Sequence, residues 1–188
     1  IMKLIKLLLF LVLLPVTAFR CEDVEPSVIQ LSYETLDKNG NPSTQFREGE
    51  NFIISFKIRN SSPEKIYYKR NHESNSDFAT VFKLSGFKRV EEVGKPFPLQ
   101  YPAVPRQGFH TIDPDSFIVY SFPWIYEEGL YNIPSSNKYI NDEYPYNKTA
   151  LPSGRYEISF TEDFQFSDDS DLQIEVNNRR FSHTFSIE

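Results

Sequence analysis

The sequence predicts an all-β protein, an antiparallel β-sandwich with long irregular loop insertions. Three observations point there. The 188 residues hold 17 Phe, 11 Tyr and 13 Pro against only 7 Gly, a mixture of strand-favouring rings and turn formers. From residue 27 onward the dominant pattern is apolar alternation of period two. No helix-start signal is followed by a 3.6-residue period, and no segment repeats another. A chain of this length makes one domain, here residues 26–188, with enough core to fold alone.

The elements follow in order. Residues 29–36 alternate and close on Asp37-Lys38-Asn39-Gly40, where Asn-Gly suits the positive φ of a tight turn. In 52–59, Phe52, Ile54, Phe56 and Ile58 point one way while Ser55, Lys57 and Arg59 point the other, a half-buried strand. Asn60-Ser61-Ser62-Pro63 turns into a strand at 66–70. Residues 78–84 read as a strand with Phe78, Thr80, Phe82 and Leu84 on one face, and Gly86 turns it into 87–93. The stretch 94–108 carries Pro96, Pro98, Pro102 and Pro105 and excludes a central strand. A strand at 117–124 follows the turn cluster Asp113-Pro114-Asp115-Ser116, and 125–150 shows no period. Leu151-Pro152-Ser153-Gly154 feeds a strand at 155–160. The end reads as a hairpin of 172–176 and 179–187 about Asn177-Asn178, with Phe181, His183, Phe185 and Ile187 on one face.

Phe46-Arg47-Glu48-Gly49-Glu50 ahead of the Phe52 strand, with Asn60 behind it, resembles the opening of immunoglobulin-like domains of exported bacterial proteins. The runs 112–116, 117–120 and 151–156 follow in an order similar to the bacterial intracellular proteinase inhibitor domain type. The resemblance covers roughly residues 46–166 and departs from the family at the two proline- and tyrosine-rich insertions. It implies an immunoglobulin-like fold, and it does not carry the inhibitory activity over.

Residues 3–14 place Lys3 and Lys6 before an apolar run that stops at Pro15, the pattern of a secretory signal peptide over 1–18. Two processing routes are open. Cleavage after Val16-Thr17-Ala18 starts the mature chain at Phe19; acylation of Cys21, the single cysteine, extends the leader to residue 20 and makes a lipoprotein. Residues 19–25 then form an acidic tether. Loss of 1–18 removes two lysines and no acid, so the net charge moves from −6 to −8. Such a chain suits neither nucleic acid nor an anionic membrane surface, and Arg179-Arg180 is too small a pair to reverse that. A possible lipid anchor is its only expected link to a membrane.

No catalytic constellation stands out. His72, His110 and His183 lack ligand spacing, no Gly-x-Ser-x-Gly turn or phosphate-cradling glycine loop occurs, and neither metal nor cofactor is expected. Asp37, Asn39 and Asn41 have calcium-loop spacing, but Pro42 stands where the loop needs Gly. Asp168, Asp169 and Asp171 read as a solvated turn. Rings on the irregular segments remain: Tyr101, Phe109, Trp124, Tyr126, Tyr131, Tyr139 and Tyr144 are the candidate ligand contacts, against the alternative that they fold inward and cap the sandwich. The expected function is an exported, non-catalytic binding module of the bacterial cell envelope, in the periplasm or at the cell surface, taking a protein or a glycan. The alternatives are a protease inhibitor using the 94–108 loop and a carbohydrate-binding module.

Overall fold

The computed structural model describes residues 28–70, 78–96, 110–132, 147–168 and 173–188. Its strands are β1 (Ile29–Leu36), β2 (Gln45–Phe46), β3 (Ile53–Asn60), β4 (Ile66–Arg70), β5 (Val81–Ser85), β6 (Lys88–Gly94), β7 (His110–Ile112), β8 (Phe117–Pro123), β9 (Gly154–Ser167) and β10 (Gln173–Ile187). They form two sheets. The first runs β1-β3-β8 and the second β2-β10-β9-β4-β7. Strands β4 and β5 lie end to end along one edge of β9, against 164–167 and 155–158 respectively, and β6 pairs with β5.

The alternation in β3 places the core. Phe52, Ile54, Phe56 and Ile58 are all fully buried. The Phe56 ring meets Phe160, Phe164 and Phe181 of the second sheet at 5.1, 5.5 and 5.2 Å, so the two sheets face each other across one aromatic layer. Tyr68 of β4 and Tyr120 of β8 join their hydroxyls across the same gap at 2.7 Å. Ile53 and Ser55, on the other side of β3, are buried as well, so that side is open only from Lys57 onward.

Four expectations change. The C-terminal hairpin about Asn177-Asn178 is instead one continuous strand, β10, paired with β9 along its length. The asparagines sit where the register slips between Val176 and Arg179, and the extra residue is absorbed as a bulge. The pattern misled because β9 continues beyond Phe160 through Glu162, which is only 2% exposed at an inward position and hides the alternation leading to Phe164 and Phe166. The Phe78–Leu84 face also fails. Phe78 and Ala79 form a short helical turn before the strand, Val81 is the fully buried residue, and Phe82 is half-buried on the outer side. Two register slips between β5 and β6 break the simple period. The sheets are not wholly antiparallel, since β2 lies parallel to β10. Finally, β2 and β7 are too short to leave a readable pattern.

Side-chain hydrogen bonds fix the turns. The Asp37 carboxylate accepts from the backbone N–H of Asn39 and Asn41 at 2.8 and 2.9 Å, which holds its pKa below the usual range and spends it on the turn, while Gly40 supplies the positive φ. At the start of β9, Tyr156 donates its hydroxyl to the Pro152 carbonyl at 2.7 Å. Gly154 suits this point, because its φ of +158 is one that residues with a side chain rarely adopt and a Cβ would press on the Tyr156 ring at 3.3 Å.

His183 links the sheets. Thr35 of β1 donates its only hydroxyl proton to the Ser43 carbonyl at 2.6 Å, so at the 3.1 Å contact His183 Nε2 must be the donor. Burial lowers the His183 pKa, opposed by the charge of Glu34. The unfolded chain therefore binds the proton more readily. The resulting stability is complete above the ordinary histidine value of about 6.5 and is lost as pH falls through the depressed folded value. Urea midpoints at about pH 7.5 and 5.5 should fall less in His183→Gln than in the parent chain.

Candidate functional site

Among the sequence candidates, Tyr101, Phe109, Tyr139, Tyr144 and Cys21 lie outside the described residues, as does most of the 94–108 loop. Trp124 is only 4% exposed: its indole stacks on Phe52 at 6.0 Å, and Nε1 donates to the Thr149 carbonyl at 3.1 Å. It caps the core. Tyr131 is half-buried, edge-on to Phe122 at 6.0 Å, with Tyr126 beside it at 6.0 Å. His110 stacks on Tyr68 at 5.0 Å. Among the described residues no three His, Cys, Asp or Glu side chains gather in a way that would hold a metal ion, and no helix is long and apolar enough to cross a membrane.

A different surface carries the exposed chemistry. Gly86, at φ +61, closes the β5–β6 turn in the left-handed region that glycine tolerates. This turn lifts Phe87 to the tip, 89% exposed, and Val90 on β6 is 60% exposed. Among the described residues β6 pairs with β5 alone. Its two register slips and its run of charged residues blunt the edge against strand addition, so contact here falls to side chains.

The strand register then gathers residues spread over slightly more than half the chain. Phe82 lies opposite Glu157, and Leu84 lies opposite both Arg155 and Arg89, so these side chains share the outer face of the second sheet. The Arg89 guanidinium sits 3.9 Å over the Phe82 ring. It also donates to Glu157, from Nη2 to Oε1 at 2.6 Å and from Nε to Oε2 at 3.3 Å. From β10, Arg180 Nη2 donates to the same Oε1 at 2.8 Å. Arg155 lies 5.0 Å from the Phe87 ring. The Glu157 side chain is 12% exposed, and its pKa is held below the usual range by the Arg89 hydrogen bonds first and Arg180 next, against the opposing effect of burial.

This arrangement orders cations in advance. Each guanidinium rests on a ring or on Glu157, so a partner meeting it loses little side-chain entropy on binding. In the sequence Arg179-Arg180 reads only as a pair too small to offset the acidic net charge. No local pattern could have found the group, because only the order β10-β9-β5-β6 brings Arg180, Arg155 and Arg89 together.

No family model matches the chain, and neither does any curated protein sequence. Among solved structures, one described as "X-ray structure of Northeast Structural Genomics Consortium target SoR45" is 12% identical, covering 82% of this chain and 85% of that one, at a TM-score of 0.28.

Proposed function

We propose that the chain is an exported, immunoglobulin-like recognition domain without catalytic machinery, and that it binds a protein of the bacterial cell envelope through the β5–β6 hairpin. The immunoglobulin-like reading draws support from sheet order. Strands β1-β3-β8 opposite β2-β10-β9-β4 parallel an arrangement in which strands A, B and E face A′, G, F and C. The Tyr156–Pro152 hydrogen bond falls at the start of β9, where that fold places its tyrosine corner. The envelope address rests on the leader-like run at 3–14 and, with acylation, on Cys21.

One observation carries the binding role: the exposed Phe87 ring at a turn tip beside Arg155, with Val90 exposed further along β6. Aromatic and Arg side chains dominate binding energy at protein interfaces, and an exposed aliphatic neighbour favours a protein over a glycan. The test is capture from a native envelope extract by the parent chain and by the double variant Phe87→Ser, Val90→Ser. Both positions are exposed, so folding should change by no more than about 0.5 kcal/mol. Loss of one central anchor is worth about 2 kcal/mol, or roughly 30-fold. Equal capture of the same proteins by both chains would overturn the proposal.

A further inference from the structure

We infer that the outer face of the second sheet takes an extended acidic protein segment, whose carboxylates at alternate positions meet Arg155 and the Arg89–Arg180 pair. This rests on the hairpin as a recognition surface and adds the chemistry of the partner. A guanidinium offers five N–H donors. Arg89 gives two of them to Glu157 and Arg180 gives one, leaving three and four respectively. Arg155 makes a ring contact and donates no hydrogen bond among the described residues. Arg89 and Arg180 share one acid, Glu157, and Arg155 forms no ion pair among the described residues, so these four side chains together keep two positive charges on a chain of net charge −6. Glu92 lies opposite Phe82 on the same outer face, toward Gly94, which centres the site on the Arg155–Phe87 end.

Spacing selects the partner. Arg155 and Glu157 are alternate residues of β9 on one face, about 7 Å apart at the rise of a strand. Arg89 and Arg180 converge on Glu157, so a pair of guanidiniums and Arg155 mark two alternate positions of the strand. An extended peptide has the same rise, and acids at its i and i+2 positions fit both. Charge selects against phosphate: Glu157 already lies between two of the guanidiniums and repels a dianion more than single carboxylates placed beside it. Phe87 then offers an apolar contact at the end of the row.

The probe is a fluorescein-labelled, amidated peptide of one leucine followed by alternating serine and glutamate, with a glutamine version as its partner. Fluorescence anisotropy reads binding at about 20 mM and about 300 mM sodium chloride. The parent chain should bind the glutamate peptide and not the glutamine one, about tenfold more weakly at the higher salt. Arg155→Gln and Arg180→Gln, both at exposed positions, should each weaken binding about tenfold, and the double variant should abolish it. Lys57→Gln with Arg59→Gln, on the other sheet, removes the same charge and should leave binding intact. Unaltered melting curves establish that the variants are folded. Three results would overturn the inference: arginine variants that bind like the parent, equal loss in the Lys57, Arg59 control, or displacement of the peptide by millimolar inorganic phosphate. If envelope capture depends on Phe87 and the acidic peptide does not bind, the recognition surface stands and the acidic partner falls.

Discussion

Replacing Phe56 with alanine is expected to remove about 3–5 kcal/mol of stability, a large share of the roughly 5–15 kcal/mol that holds a domain together. The ring is fully buried. It stacks on Phe78 at 5.2 Å besides its three contacts with the second sheet, so truncation opens a cavity where several aromatic pairs meet. With Cys21 the only cysteine, no disulfide within the chain limits the loss. Urea unfolding should show a lower midpoint with an unchanged slope. A loss under about 1 kcal/mol would place Phe56 at a surface position and refute the register of β3.

Asn60→Ala should cost a comparable amount, roughly 3–5 kcal/mol, through polar rather than apolar loss. Asn60 ends β3 and is fully buried. Its two amide hydrogens are shared among the carbonyls of Glu64, Ile112 and Asp113 at 2.7, 3.1 and 3.2 Å. Its side-chain oxygen accepts from the Ser62 N–H at 2.9 Å and the Ser62 hydroxyl at 2.7 Å. One side chain thus ties the turn after β3 to the turn before β8, and alanine removes that tie, leaving the Ser62 hydroxyl its bond to the Glu64 carbonyl at 2.9 Å. Asn60→Asp provides the contrast. It keeps the acceptor but turns a carboxylate on carbonyl oxygens, so it should cost at least as much as alanine. A thermal melt of the three chains decides it, and an Asp variant as stable as the parent would contradict this account.

What was legible depended on whether one face of one strand decided the matter. The run from Phe52 to Ile58 could be read because burial there is binary and its period is short. Asn60 was legible as a turn residue but not as a buried hub, since its partners at 112 and 113 come from a distant turn. Asn177-Asn178 has the composition of a turn, and only the continuation of β9 past Glu162 makes it a bulge. Trp124 carries no local sign of its direction, because Phe52, the ring it stacks on, belongs to another strand. The arginine group is of the same kind. Arg89, Arg155 and Arg180 each sit in ordinary strand contexts, and only their register around Glu157 makes them a surface.

The most direct measurement of that surface is photocrosslinking on the native cell envelope, with a benzophenone amino acid placed at position 87 in one chain and at position 117 in another. Phe117 is an equally useful anchor for comparison, being exposed on the opposite sheet with Lys57 5.7 Å from its ring. The account predicts a discrete crosslinked protein from position 87, absent from position 117 and lost when Arg155 and Arg180 are changed to Gln. The same adducts from both positions, or from position 117 alone, would contradict it.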